Sequence, residues 1–377
     1  MSERVIVVGG GVVGMSSALA LHQAGAEVLL LSATSVGTGA SATNVGLLVP
    51  ADSMVWSSPA NRRASPKIVL GCGGAAIAVH WGNPAVIGWG SRFLLRANAK
   101  QFSSSSQITH GLSTYSMNVL TAWKTELDLE FGLEKNGLAY LFGTAAAREA
   151  SRRSHAPLVE AGEQYSEVDG ADLSRIDPAF GPATASLKAL YAPKAGHADA
   201  VAFCRALSTH LVAEGVAVHT DSPVEQIERE GTRITGVRTA SDTIEADRVV
   251  LAAGHHTARL ARQLGIRTGI LPVKGTAATV PIIRPEDPEL VPAVGGVFED
   301  AHVAFSRTEQ HLRLSTGAEI GNANPSVSQS SRAHLREAGD KLFPEAVRWS
   351  EARFESGFRP MTAHGLPLIG PTRVSGL

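Results

Sequence analysis

Four β-branched residues, Val5-Ile6-Val7-Val8, lead without a break into Gly9-Gly10-Gly11-Val12-Val13-Gly14. The apolar run reads as a strand buried on both faces, as parallel strands are. Beyond the glycines, Ala18, Leu19, Leu21 and His22 lie on a helical pattern that Gly25 closes as a C-cap. Glu27–Leu31 reads as the next strand. Gly9, Gly11 and Gly14 thus form G-x-G-x-x-G between a strand and a helix. The first glycine permits the tight turn, the second lets a pyrophosphate approach, and the third lets the helix pack on the strand. The helix N-terminus offers free N–H groups and a partial positive charge to phosphates. A glycine turn alone can be structural. With the strand before it and the helix after it, this one predicts a dinucleotide site contacted by Gly9, Gly11, Val12, Val13 and Gly14.

An acidic residue is expected at the end of the second strand, where a carboxylate takes both ribose hydroxyls. Ser32 stands there. One hydroxyl replaces two charged hydrogen bonds, which weakens adenosine binding by about 1–2 kcal/mol. Serine also removes the repulsion that excludes a 2′-phosphate. By this residue alone NADP stays open.

The 377 residues suggest two or three globular units at ~150 residues per domain. Apolar residues are 44% and charged residues 18%, so the chain can bury a large core. With 34 basic and 35 acidic residues, bulk charge argues against a nucleic-acid partner. Cys72 and Cys204 provide neither a disulfide framework nor metal spacing. Met1-Ser2-Glu3-Arg4 does not open a signal peptide. The apolar run Ile68–Val79 is shorter than the ~20 residues a bilayer span needs, and reads as a buried segment or a shallow membrane or partner contact.

Further on, Ile108, Leu112, Tyr115, Val119, Trp123 and Leu127 recur at helical spacing and predict one core-facing stripe over 107–129. Ser103–Ser106 reads as a turn before that helix. Leu138–Phe142 reads as a strand and Val201–Glu214 as a helix. Val216–His219, Pro223–Glu228 and Ile234–Arg238 read as successive strands. Val249-Val250-Leu251-Ala252-Ala253, closed by Gly254, repeats the buried-strand signal far from the first, so the nucleotide-binding part is discontinuous. Residues 270–320 alternate in short stretches and predict an antiparallel sheet, and 328–342 a helix.

Four segments then carry a family resemblance. Ser41-Ala42-Thr43-Asn44-Val45-Gly46 resembles the flavin-contacting loop of D-amino acid dehydrogenases, within the glycine, sarcosine and D-amino acid oxidases. Leu271-Pro272-Val273-Lys274-Gly275 resembles the P-x-K-G segment. Arg248–Gly254 resembles the second FAD motif. Gly357-Phe358-Arg359-Pro360-Met361-Thr362 resembles G-x-R-P-x-T, and Gly365–Gly370 follows it. The order and spacing favour FAD over NADP.

The resemblance implies an α/β fold. A discontinuous Rossmann-like FAD-binding domain (1–55, 145–185, 198–262 and 355–377) would join an α+β substrate domain with an antiparallel sheet (56–144, 186–197 and 263–354). It implies oxidation of an amino acid by hydride transfer from Cα to flavin, leaving an imine that water converts to a 2-oxo acid and ammonia. Arg359 is the implied partner of the substrate carboxylate, since a planar guanidinium binds carboxylate in two places. Implied FAD contacts are Ser32, Ser41, Ala42, Asn44, Gly46, Leu47, Val224, Ala253, Gly254 and Lys274. Lys274 is either a cation near the flavin or a surface lysine. His255 and His256 follow the second motif; on an extended segment they point to opposite faces, so one at most, with His255 preferred, reaches the site. His197 precedes a helix that Asp199 is expected to cap. His364 stands where an acidic residue is common.

Relatives continue beyond the point where Val374-Ser375-Gly376-Leu377 ends this sequence. That pattern suggests a completing subunit or a catalytically reduced variant beside the enzyme reading. A glycine, sarcosine or cyclic imino acid oxidase is a further alternative. The expected location is cytoplasmic, with peripheral contact at the inner face of a membrane if a quinone is the electron acceptor.

Overall fold

β1 (Arg4–Val8) lies between two parallel partners, β2 (Glu27–Leu31) and β13 (Arg248–Leu251). β9 (Ala217–His219) extends the sheet beyond β2, giving the order β13-β1-β2-β9. This arrangement comes from a computed structural model that describes residues 2–69 and 77–377. Central strands buried on both sides explain why β1 and β2 read as unbroken apolar runs. α1 (Val12–Gln23) and α7 (Ala200–Ala213) cover one face, where Met15, Leu19, Phe203 and Leu207 form a core. Ala24 caps α1, and Gly25 follows with φ +88°, the left-handed closure expected of that glycine. α8 (Thr257–Gln263) packs Leu260 and Leu264 on the other face.

A small antiparallel sheet, β10 (Val224–Glu230), β11 (Arg233–Thr239) and β12 (Thr243–Glu245), adds Ile227, Ile234 and Val237 to that second core. Val374 packs there too, and Gly376 accepts a backbone bond from Val249 at 2.8 Å.

The rest is built on a nine-stranded sheet. Its antiparallel part runs β18 (Arg353–Met361), β14 (Leu271–Pro281), β17 (His311–Ile320), β16 (Val303–Arg307) and β15 (Gly295–Phe298). β15 then pairs parallel with β5 (Leu138–Phe142), and β7 (Lys188–Ala192) and β6 (Ser166–Asp169) complete the row. β4 (Ile77–Val79) pairs with the far end of β17. α9 (Gln329–Leu342) buries Leu335 and Leu342 against this sheet. α5 (Ala145–Ser154) and α6 (Ala156–Glu160) lie over β5 and the loops beside it.

This topology differs from the expected domain division in two places. Residues 145–185 contribute β6 to the large sheet, and β18 joins it as an edge strand although 355–361 was assigned to the nucleotide-binding part. Ser166–Asp169 has no apolar alternation, so only long-range pairing with β7 makes it a strand. We propose a boundary that leaves both strands with the substrate-side sheet.

The remaining helices correct a second expectation. α2 (Pro59–Val69) and α3 (Ala85–Arg96) precede α4 (Ala99–Glu126), which begins before the serine run, so Ser103–Ser106 is helical and not a turn. The buried residues of α4 are Ser106, His110 and Met117. Ile108, Leu112 and Tyr115, expected in the core, face solvent. Trp123 and Leu127 of the same stripe do pack on the core, but the N-terminal half is held by its polar face: His110 Nδ1 bonds the Pro50 carbonyl at 3.0 Å and Ser106 Oγ accepts from Val55 N–H. Most of the Ile68–Val79 run lies outside the described residues.

Candidate cofactor and substrate site

The glycine loop closes the gap between the two distant strands. Gly9 has φ +128°, and a Cβ there would sit 2.4 Å from the Ala252 carbonyl oxygen at the end of β13. A Cβ on Gly14 would sit 1.7 Å from the Gly9 carbonyl, so glycine lets α1 close onto the loop. Gly11 is the N-cap of α1, brings no side-chain acceptor, and the first turn carries no acid. Val12 N–H donates to Ser41 Oγ at 3.1 Å, and the Val13 side chain is exposed beside it. A cradle without Cβ atoms at a helix N-terminus free of negative charge fits a pyrophosphate. Ser32 is buried against the same loop: a Cβ at Gly10 would lie 2.4 Å from its Oγ. Val224 lies in the core and its carbonyl accepts from Arg259 at 3.3 Å. Ala253 and Gly254 turn the chain out of β13, Gly254 with φ +57°.

The loop over 39–48 is tied from every side. The Asn44 amide donates to the carbonyls of Ala40 and Ser41 at 3.0 and 2.8 Å and accepts from Gly46 N–H at 2.7 Å. Its side chain therefore shapes the loop. The Ala42 carbonyl accepts from Arg313, and the Val45 carbonyl from Ser306 Oγ. Leu47 pairs with His197 in a two-stranded ribbon, β3 (Leu47–Leu48) with β8 (Gly196–His197). His197 is buried with Nε2 on the Arg307 carbonyl at 2.9 Å, and burial lowers its pKa. Asp199 caps α7 as expected, accepting from Val201 and Ala202 N–H at 2.8 and 3.0 Å.

β18 meets this loop at Gly357 and carries Arg359 two residues further on. Gly357 abuts Thr43 so closely that a Cβ would fall 1.7 Å from its Oγ1. Arg359 is partly buried; its Nη1 donates to the Gly317 carbonyl at 2.8 Å and its guanidinium lies over Gly275. Burial pulls its pKa down from the usual arginine range. Among the described residues no carboxylate pairs with it. Lys274 is buried rather than a surface lysine: Nζ donates to the Ser326 carbonyl at 2.7 Å and pairs with Glu319 at 3.3 Å.

The two histidines depart from expectation. Gly254–His256 is a 3₁₀ turn, not an extended segment, so both rings fall on the same side, with centroids 3.9 Å apart. His255 also lies 4.9 Å from the Phe358 ring. Burial first, and His256 second, push His255 down to about 4, so its ring is neutral at neutral pH. His364 accepts from Leu366 N–H through Nδ1 at 3.1 Å and holds the turn after β18.

Three charged side chains near the loop escaped sequence reading. Arg313 anchors the Ala42 carbonyl. Asp52, two residues after Pro50, is exposed and lies within electrostatic reach of Glu299. Glu299 is raised to about 7, by burial and then by Asp300. Among the described residues the fully buried Tyr140 hydroxyl has no hydrogen-bond partner, and burial raises its pKa. The position of Asp52 at the end of the flavin-like loop was the signal available; Glu299 and Arg313 had none.

Residues 4–377 match the family described as FAD dependent oxidoreductase. The chain belongs to that family. It is an FAD-dependent oxidoreductase whose homologues include amino acid dehydrogenases and oxidases. A D-amino acid dehydrogenase of Paramagnetospirillum magneticum is 29% identical over 381 residues, covering 99% of this chain and 89% of that protein. A D-amino acid dehydrogenase of Vibrio cholerae serotype O1 is 28% identical over 376 residues, with 99% and 89% covered. The solved glycine oxidase from Bacillus cereus shares the fold, with a TM-score of 0.70 at 19% identity over 100% of this chain and 88% of that one. Within this FAD-dependent oxidoreductase no helix among the described residues is long and apolar enough to cross a membrane.

Proposed function

We propose that this flavoprotein oxidises the Cα–N bond of a D-amino acid, acting as a dehydrogenase. The observation that carries the reading is Arg359: a partly buried guanidinium over Gly275, two residues along β18 from the Gly357–Thr43 contact, with one carbonyl contact and, among the described residues, no carboxylate partner. A buried cation without a counter-ion is costly, and a substrate carboxylate supplies one in bidentate geometry. The names of the two sequence relatives support an amino acid of D configuration.

Bound FAD supplies the hydride acceptor, and the chain supplies binding and orientation. Gly9, Gly11 and Gly14 with the start of α1 would hold the pyrophosphate, and Ser32 would face the adenosine ribose. Ala253 and Gly254 would flank the cofactor at the end of β13, with the Ser41–Leu47 loop carrying its ring. Neutral His255 packs on Phe358, whose side chain leaves β18 on the face opposite Arg359.

The direct test is an absorption spectrum of the protein with FAD, recorded anaerobically before and after D-amino acids are added. Bleaching of the flavin bands supports the reading. Flavin bands that respond to glycine, sarcosine or a cyclic imino acid but to no D-amino acid would replace it with the secondary-amine alternative. A colourless protein that takes up no flavin until a partner is added would point to a completed subunit. Arg359→Ala is expected to raise KM strongly or abolish turnover with flavin content unchanged; unaltered kinetics would remove Arg359 from the site.

A further inference from the structure

Gly357 and Gly275 face one another in register across β18 and β14, and Gly317 of β17 adjoins Gly275 on its other side. Three neighbouring strands thus present glycine at one level, and the sheet has a floor without Cβ atoms there. Two side chains occupy the room. The Arg359 guanidinium lies over Gly275, where a Cβ would come 2.6 Å from Nη1, and donates to the Gly317 carbonyl at 2.8 Å. Thr43, from the flavin-like loop, lies over Gly357, where its Oγ1 leaves no space for a Cβ. Facing residues of an antiparallel pair project to the same face with Cβ positions ~5 Å apart. Thr43 Oγ1 and the guanidinium therefore stand over adjacent positions on one face. Both side chains are only partly buried, so a ligand can reach them.

The hydrogen bonding of Thr43 is one-sided. Its hydroxyl donates to the Gly39 carbonyl at 3.2 Å, which uses its one proton. The lone pairs of Oγ1 are left to accept, and among the described residues no group donates to them. An α-amino acid carries its amine on the carbon next to its carboxylate. A ligand whose carboxylate sits on Arg359 thus holds its amine within a few ångströms of that anchor.

We propose that Thr43 Oγ1 accepts an N–H of the substrate's α-amine while Arg359 holds the carboxylate. This role rests on Arg359 being the carboxylate partner. A hydroxyl acceptor suits the chemistry. The amine has to be uncharged, because its lone pair forms the C=N bond as the hydride leaves Cα. A carboxylate at the same point would favour the ammonium form. Glu355 is the acid that β18 presents on the same face as Arg359. It is exposed and stands beyond Gly357, about 13 Å along the strand from Arg359. Thr43 lies between the two and carries no charge.

The test compares carboxylates with and without a donor on the neighbouring carbon. D-Lactate presents a hydroxyl where a D-amino acid presents its amine, and propionate presents only hydrogen. Their Kd values are read from perturbation of the flavin absorbance in the FAD-loaded chain, and the apparent Kd of D-alanine from anaerobic flavin reduction. The parent protein should bind D-lactate roughly two- to tenfold more tightly than propionate, the worth of one hydrogen bond. Thr43→Val should abolish that difference and weaken D-alanine by a similar factor, with propionate binding and flavin content at the parent values. Thr43→Ser should restore both. Equal binding of D-lactate and propionate by the parent protein overturns the proposal, as does a Thr43→Val variant that weakens both ligands alike. Loss of D-alanine affinity in Glu355→Gln but not in Thr43→Val would move the amine to Glu355 and overturn it too. Arg359→Ala should weaken all three ligands together. If it leaves propionate unchanged, the carboxylate anchor itself is elsewhere, a failure separate from that of Thr43.

Discussion

Ser32 sits where the ribose of the adenosine must be recognised, buried against Gly10. Its hydroxyl makes at most a fraction of what a carboxylate makes with two ribose hydroxyls. Ser32→Asp is expected to strengthen FAD binding by about 1–2 kcal/mol, a roughly five- to thirtyfold lower Kd, measured by flavin fluorescence quenching. An unchanged Kd would mean that the ribose is held elsewhere. His255 makes the complementary case. Its ring is pushed down to about 4 by burial and then by His256, so it is already uncharged throughout the range where free histidine titrates. His255→Phe should therefore leave the shape of the kcat/KM profile between about pH 5 and 8 unaltered. Loss of an inflection there would show that His255 carries a working proton.

At the scale of elements, the flavin-like loop owes its shape to the start of α7. Ala198 N–H donates to the Gly46 carbonyl at 2.9 Å, and Asp199 then caps the helix. The carboxylate also offsets the buried charge of Arg313, whose pKa burial lowers and Asp199 raises. Asp199→Ala removes the cap at a cost of about 1 kcal/mol. It should also loosen the Arg313 contact to Ala42. We expect the urea midpoint to fall and FAD to dissociate faster; a lower midpoint with an unchanged FAD off-rate would confine Asp199 to capping. In α4 the predicted stripe meets the core at Trp123 and Leu127 but faces solvent at Ile108, Leu112 and Tyr115. Its period was plain, but Ser106 and His110 form hydrogen bonds to Val55 and Pro50, and those bonds turn the polar face inward.

At the scale of the molecule, Glu299 stores a pH dependence. Burial first, and Asp300 second, raise Glu299 to about 7, well above an ordinary carboxylate. A raised carboxyl pKa means that the folded state holds its proton longer than the unfolded chain. The associated stability is complete below the ordinary glutamate range and is lost as pH rises through about 7. Glu299→Gln should therefore reduce the fall in Tm between about pH 5 and 8. A Tm profile parallel to the parent would show that Glu299 is ordinary in the folded protein.

The sequence by itself determined the parts whose physics is local. The glycine loop, its flanking strand and helix, the Asp199 cap and the antiparallel alternation over 270–320 depend on steric freedom, capping and residue period, which neighbours along the chain dictate. The order of four motifs also made the family legible. Tertiary structure alone decided what depends on distant partners. Ser166–Asp169 became a strand because β7 lies beside it. Lys274 was buried because Glu319 and the Ser326 carbonyl receive its charge. His255 and His256 share one face because a turn, not a strand, follows β13. In each case the free energy of the placement resides in a desolvated contact between distant residues, and no local pattern encodes such a contact.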